Sequence, residues 1–101
     1  MKTLTVNEKY AIINILSQIM AADGIIDPGE EEYMDNVFNE LGITISDLED
    51  ASAIDAIHAK SIINEMSASH KEYTRLLFLG MAKSDGYVDP REMAVIEKIF
   101  G

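Results

Sequence analysis

Asp23-Gly-Ile-Ile-Asp-Pro-Gly-Glu30 and Asp85-Gly-Tyr-Val-Asp-Pro-Arg-Glu92 are two copies of one motif, Asp-Gly-x-(Ile/Val)-Asp-Pro-x-Glu, which recurs after 62 residues. The repetition extends beyond the motif, because residues 81–100 repeat the apolar rhythm of residues 19–38. A repeat inside one chain indicates that one structural unit is used twice. The sequence therefore predicts a helix-loop-helix unit in each half of the chain, with the motif forming the loop.

Apolar periodicity and helix-capping signals predict six helices. The capping signals have the spacing Ser/Thr/Asp-x-x-Glu and begin at Thr5, Asp27, Ser46, Ser69 and Asp89, with Ser52 as the expected N-cap of helix four. Helix one is apolar around most of its circumference, which predicts a central, buried position. Ile57 of helix four and Leu76 of helix five are predicted to face inward, and Gly42 suits the end of helix two.

The predicted fold is all-α. Residues 1–101 are expected to form one compact domain of about six helices, since no linker or low-complexity segment divides the chain. Short loops favour antiparallel neighbours, so helices one and two, and helices five and six, are expected to form two pseudo-symmetric hairpins. Two shorter helices connect them.

Most of the motif has a structural explanation. Gly24 and Gly86 suit helix C-termini. Asp27 and Asp89 suit N-caps, the prolines that follow suit the first helical position, and the glutamates Glu30 and Glu92 suit the third. Asp23 and Asp85 are different, because an anion near the negative end of a helix dipole costs about 0.3–1 kcal/mol. They form either hydrogen-bonded turns within their own loops or part of a cation site.

The cation hypothesis joins the carboxylates of both loops. Oxygen ligands suit hard cations, and two such loops offer the six to eight oxygens that Ca²⁺ takes. The candidate ligands for Ca²⁺ or Mg²⁺ are Asp23, Asp27, Glu30, Asp85, Asp89 and Glu92. A true EF-hand is excluded, because its first two carboxylate positions would fall on Ile19 and Ala21 in one copy and on Met81 and Lys83 in the other.

The charge is uneven. The formal net charge is −10, and residues 10–59 contain eleven acidic residues but neither lysine nor arginine. Such a surface repels phosphate backbones and anionic lipid, so nucleic-acid binding is not expected. It favours a protein partner, either basic or membrane-associated, and the candidate partner-binding residues are Glu31, Glu32 and Asp35. Alternatively, the surplus charge only maintains solubility.

Other classes of protein find little support. The chain has no cysteine, which excludes disulfides and thiol chemistry, and no apolar run approaches the ~18 residues of a membrane span. Direct membrane insertion is therefore not expected, and the predicted location is the cytoplasm. His58 and His70 are the only histidines, and no phosphate loop or nucleophile elbow is present. The sequence predicts a protein that is not an enzyme, although an enzyme completed by another subunit is a third hypothesis.

Residues 21–30 and 83–92 resemble the paired motifs of the TerB-like tellurite-resistance family, and the resemblance extends to the TerB-like domain of J-domain co-chaperones. It implies two related helical hairpins and a bacterial cytoplasmic setting. It also implies an acidic surface that binds metal ions or partner proteins in stress-response systems. The second copy carries Lys83 and Arg91, which could neutralise a site from within, whereas Glu31 and Glu32 follow the first copy, so the first loop should dominate cation binding. The competing hypothesis is a metal-independent scaffold with structural loops.

Overall fold

The computed structural model describes residues 4–22, 28–84 and 90–100. Six helices fill most of these ranges: α1 (Val6–Ala21), α2 (Pro28–Leu41), α3 (Ile45–Ser52), α4 (Ala56–Asn64), α5 (Ala68–Ala82) and α6 (Pro90–Phe100). None of the described residues lies in a strand. The all-α prediction is therefore confirmed, while Gly24, Gly86 and the four aspartates of the two motifs lie outside the described residues.

Helix α1 lies at the centre of the molecule. It packs against each of the other five helices and most extensively against α4. Its buried residues are Ala11, Ile12, Ile13, Ile15, Leu16 and Ile19. These positions cover more than one helix face, so the apolar circumference of this segment correctly predicted its central position.

Local chemistry determines two helix ends as predicted. The Thr5 hydroxyl accepts a hydrogen bond from the Glu8 N–H at 3.1 Å, and Glu8 Oε1 accepts one from the Thr5 N–H at 2.8 Å, which completes a capping box. Gly42 ends α2 with φ of 69°, and the Ile43 N–H reaches back to the Phe38 carbonyl at 2.9 Å. This is the Schellman arrangement, in which a left-handed residue follows the helix.

Three predicted N-caps are wrong. Helix α3 begins after Thr44 rather than Ser46, because Thr44 and Asp47 form a capping box of their own. Helix α4 begins after Asp55, whose carboxylate accepts the His58 N–H at 2.7 Å, whereas Ser52 is the last residue of α3. Ser67 caps α5 in place of Ser69. In each case another capping residue two or three positions away is used.

Two predicted inner positions are wrong as well. Ile57 is 82% exposed, because the buried face of α4 contains Ala59 and Ile63, and Ile57 lies about 200° around the helix from Ala59. Leu76 is 56% exposed. Thr74 is buried on α5 instead, where its hydroxyl donates a hydrogen bond to the Met66 sulfur at 3.3 Å.

Burial agrees between the two copies of the repeat. The equivalent pairs Ile19 and Met81, Met34 and Ile96, Val37 and Ile99, and Glu30 and Glu92 are all buried. Helix α2 contacts α1, α6 contacts α5, and α2 also packs on α5. The pseudo-two-fold relation between the hairpins stays a prediction.

Candidate functional site

Two glutamates from the repeated motif are buried at equivalent positions. Glu30 and Glu92 are each the third residue of a helix that begins with proline, and each is only 1% exposed. Their Oε2 atoms are inaccessible to solvent, and neither residue is isolated. Carboxylates are rarely buried so completely, because an ionised group loses favourable hydration in the interior. This burial requires compensating interactions at both positions.

Acidic residues at the third position of other helices behave differently. Glu8 in α1 and Asp47 in α3 also follow an N-cap by three positions, and both stay partly exposed while they accept hydrogen bonds from that N-cap. The pKa of Asp47 is lowered chiefly by its hydrogen bond from the Thr44 N–H. Ordinary capping therefore does not require a buried carboxylate, and Glu30 and Glu92 differ from these two residues.

The α2–α5 interface brings the flanks of the two motifs to the same side of the molecule. The Tyr33 hydroxyl donates to the Leu77 carbonyl at 2.8 Å, and the Tyr73 hydroxyl donates to Glu40 Oε1 at 2.8 Å. The first contact joins the earlier part of α2 to the later part of α5 and the second joins the end of α2 to the earlier part of α5, so the two helices run antiparallel. A cavity of about 260 Å³ lies there, lined by Gly29, Glu32, Tyr33, Asn36 and Ser84. Ser84 directly precedes the second motif, and Gly29 belongs to the first.

The pKa values of the two tyrosines at this interface are raised. Burial raises the pKa of Tyr33, and the negative charge of Glu40 adds to the effect. Burial also raises the pKa of Tyr73 to about 12, with its hydrogen bond to Glu40 as the second cause. Both phenols therefore keep their protons, and their role as hydrogen-bond donors, to a higher pH than a free tyrosine does.

The predicted metal ligands are only partly described. Asp23, Asp27, Asp85 and Asp89 lie outside the described residues, and only Glu30 and Glu92 can be placed. Within residues 4–22, 28–84 and 90–100, no group of three or more acidic or histidine side chains could hold a metal ion. The six-carboxylate site stays a prediction.

The predicted partner-binding residues are all exposed but lie on two faces. Glu31 and Asp35 line a cavity of about 340 Å³ together with the apolar side chains of Met20, Met34, Phe38 and Leu48. Glu32 instead lines the cavity beside Ser84. The structure thus groups two of the three acids around an apolar depression and separates the third from them.

A family model described as Tellurite resistance protein TerB matches residues 1–53, which is over half of the chain. The chain belongs to the TerB family. The match includes the first copy of the motif and ends before the second. No curated protein and no solved structure matches the chain. The predicted resemblance to TerB is confirmed, and the likeness to the J-domain co-chaperone module stays a prediction.

Membership of the TerB family makes this chain a tellurite-resistance-associated helical module. The TerB family is generally non-enzymatic, and the absence of catalysis in this chain stays a prediction. Among the described helices, none is long and apolar enough to cross a membrane.

Sequence reasoning missed two polar clusters on α1 of this TerB-family chain. The Tyr10 hydroxyl donates to Asp47 at 3.0 Å and to Asp50 at 3.3 Å, and the hydrogen bond to Asp47 is the largest cause that raises the Tyr10 pKa to about 12. Asn14 donates to the Ala51 carbonyl and, at 2.7 Å, to the Ile54 carbonyl. The signal for these contacts was the spacing of Tyr10, Asn14 and Gln18, which recur every four positions in a largely apolar helix.

Proposed function

We propose that this TerB-family module binds a divalent cation, Ca²⁺ or Mg²⁺, through the carboxylates of both Asp-Gly loops, and that the ion locks the two hairpins together. The proposed ligands are Asp23, Asp27, Glu30, Asp85, Asp89 and Glu92. The module acts without catalysis, in the cytoplasm, within a bacterial tellurite-resistance or stress-response system. The single observation that carries the proposal is the matched burial of Glu30 and Glu92 next to the loops.

A bound cation would add to the interactions that already offset the cost of this burial. Removing a carboxylate from water costs several kcal/mol unless opposite charge or strong hydrogen bonds compensate for the lost hydration. A divalent ion supplies that charge and prefers carboxylate oxygen ligands. The start of a helix adds a smaller favourable field, worth about 0.3–1 kcal/mol.

The position of the motif flanks is consistent with a shared ion. Gly29 and Ser84 line one cavity, and each belongs to or adjoins a different copy of the motif. Ligands from both copies would make binding depend on the contact between α2 and α5. Cation binding should therefore stabilise the packing of one hairpin on the other.

The decisive experiment is an amide chemical-shift titration of the ¹⁵N-labelled protein with Ca²⁺, Mg²⁺ and Zn²⁺ in turn. We expect saturable shifts confined to residues 23–32 and 85–92. The double variant Asp23→Asn with Asp85→Asn should lose them, whereas Glu8→Gln, which changes the third-position glutamate of α1, should keep them. Weak, non-saturating shifts spread over residues 23–55 would indicate counterion screening and contradict the proposal.

A second candidate function is a metal-independent scaffold that docks a basic protein. The observation that favours it is the placement of Glu31 and Asp35 around an apolar cavity. Acidic side chains bordering apolar surface suit a partner that presents both basic and apolar residues. Binding of such a partner that is unchanged by chelators, together with the absence of saturable ion shifts, would favour the scaffold.

A further inference from the structure

Three cavities adjoin one another across α1, because neighbouring cavities share lining residues, and we call them together the α1 groove. The first cavity contains Glu31 and Asp35 and has a volume of about 340 Å³. The second, of about 470 Å³, shares Ser17 and Leu48 with the first. The third, of about 250 Å³, shares Gln18 and Ala56 with the second. The groove therefore runs from α2 and α3, over α1, to α4 and α6.

The floor of the α1 groove is held in place by side-chain amides. The Gln18 amide donates to Asn14 Oδ1 at 2.8 Å, and Asn14 in turn donates to the carbonyls of Ala51 and Ile54. The Ala51 carbonyl lies at the end of α3 and the Ile54 carbonyl just after it, so these hydrogen bonds tie α1 to the end of α3. A groove with a fixed floor is preformed, which lowers the entropic cost of binding.

The two ends of the α1 groove carry opposite charges. Glu31 and Asp35 lie at the α2 end, and both are exposed. Lys60 of α4 and Lys98 of α6 line the other end and are also exposed. This separation stands out in a chain of net charge −10 with only eight lysines and arginines. The groove offers a ligand an acidic end and a basic end.

Apolar surface lies between these ends and at the basic end. Leu48 lines the junction of the first two cavities, and Ile57, which is 82% exposed, lines the third. A single exposed isoleucine is ordinary on a protein surface. Here it stands in a groove beside two lysines, where a ligand could cover it.

We propose that the α1 groove docks an amphipathic helix of a partner protein. Its apolar face would lie along the middle of the groove, its basic end against Glu31 and Asp35, and its acidic end against Lys60 and Lys98. A helix of about 15 residues is roughly 22 Å long, which fits a molecule with extents of 31 × 30 × 26 Å. The proposal deepens the scaffold candidate above and does not require a bound cation.

Charge complementarity selects this occupant over others. A second copy of the chain would bring two bodies of net charge −10 together, and their repulsion opposes association. An anionic polymer such as nucleic acid would meet Glu31 and Asp35 at one end. A peptide with opposite charges at its two ends satisfies both ends of the groove at once.

The test uses a synthetic amphipathic peptide of about 15 residues. It carries leucines along one face, two glutamates in the first turn and two lysines in the last turn, an order that also suits the helix dipole. Binding to the ¹⁵N-labelled full chain is followed by chemical shifts in EDTA and again with Ca²⁺. We expect saturable shifts at Ser17, Gln18, Leu48 and Ala56 in both conditions. A scrambled peptide, with its charges mixed along its length, should bind about tenfold more weakly.

Variants of exposed residues test the apolar contact without disturbing the core. Ile57→Ala should weaken peptide binding about tenfold through lost apolar contact. Ile45→Ala is the matched control, since Ile45 is 78% exposed on α3 and is not among the residues that line these cavities. It should leave the affinity unchanged.

Substitution of Lys60 and Lys98 tests the basic end of the α1 groove. Lys60→Gln with Lys98→Gln makes the chain more acidic, so non-specific attraction of a wholly basic peptide should increase. Binding of the two-ended peptide should nevertheless weaken about threefold. Lys83→Gln, which removes a lysine elsewhere, is the control.

Three outcomes would overturn the proposal. The first is the absence of saturable shifts with the peptide, and the second is equal affinity for the scrambled peptide. The third is a dimer in sedimentation equilibrium that Ile57→Ala abolishes, which would assign the groove to a second copy. Because peptide binding is measured in EDTA, its absence would not contradict the proposed cation site. In the same way, the absence of ion binding would not contradict the proposed docking of a helix in the α1 groove.

Discussion

The ring of Tyr33 on α2 lies directly over Gly80 on α5. A Cβ built on Gly80 would come within 2.7 Å of the Tyr33 Cζ atom and 2.9 Å of Cε1, which is closer than real Cβ atoms approach other atoms. The hydroxyl of the same ring donates to the Leu77 carbonyl at 2.8 Å. The absence of a side chain at residue 80 therefore allows α2 and α5 to pack closely.

Gly80→Ala should lower the free energy of unfolding by about 1–3 kcal/mol, because the added methyl group overpacks the interface. In the Tyr33→Ala background the same substitution should stabilise the protein by up to about 1 kcal/mol, since alanine is the better helix former. Urea unfolding of the four proteins, followed by circular dichroism, measures both effects. An equal cost in both backgrounds would show that the ring is not what Gly80 accommodates.

From the sequence alone, either Thr44 or Ser46 could cap the start of α3, and the structure uses Thr44. Thr44→Ala should cost about 1 kcal/mol of stability, because the Asp47 N–H loses its hydrogen bond to the threonine hydroxyl. Ser46→Ala should cost no more than about 0.5 kcal/mol, as for an ordinary surface change. Urea midpoints of the two variants decide between them, and a larger effect at Ser46 would restore the start predicted from sequence.

Asn14 attaches α1 to the end of α3. Asn14→Leu should destabilise the protein by about 1–3 kcal/mol, because the Ala51 and Ile54 carbonyls lose a donor at a partly buried position. Gln18→Leu, one turn later, keeps both of these bonds and should cost less. Thermal unfolding of the pair is the measurement, and equal losses would mean that the carbonyl bonds contribute little.

Stability should decline at alkaline pH. The folded-state pKa values of Tyr10 and Tyr73 are raised to about 12 from a usual value of 10.0, so the folded state favours the neutral phenols. Their contribution is fully present below pH 10 and is lost as pH rises from about 10 to 12. Absorbance titration at 295 nm should show late-ionising tyrosines that Tyr10→Phe and Tyr73→Phe each remove in part. Ionisation of every tyrosine near pH 10 would contradict both hydrogen bonds to carboxylates.

Divalent ions should stabilise the protein if the cation proposal holds. At an ion concentration 100-fold above the dissociation constant, linkage adds about 2.7 kcal/mol. Glu30→Gln and Glu92→Gln should each reduce this ion-dependent gain, and Glu8→Gln should preserve it. Thermal scans with Ca²⁺ and with EDTA give the gain directly. A gain that is the same in all four proteins would exclude the two buried glutamates as ligands.

The parts of the fold that depend on local chemistry were predictable from sequence. Thr5 with Glu8, Gly42 after α2, and the apolar circumference of α1 each specify a helix end or a helix face without reference to distant residues. The starts of α3, α4 and α5 were not predictable in this way. Ser, Thr and Asp residues stand two or three positions apart there, and tertiary contacts such as the bond from Tyr10 to Asp47 favour one of them.

The candidate sites were predictable only in part. The motif indicated that Glu30 and Glu92 take the third helical position, yet their burial depends on how the hairpins pack, since comparable residues such as Glu8 stay partly exposed. The α1 groove had no sequence signal, because its lining comes from five helices whose relative positions no local pattern determines. Exposed Ile57 was assigned to the core for the same reason.

The central position of α1 determines how the protein is expected to unfold. Its principal neighbour, α4, lies beyond residue 53, where the TerB match ends. A fragment that ends there would lack α4 and would expose part of α1, six of whose residues are buried in the structure. In native-state hydrogen exchange, the amides from Ile12 to Ile19 should be the last to exchange, at the rate of global unfolding. Because α1 packs against helices from both halves of the repeat, we expect the two halves to unfold together as one cooperative unit.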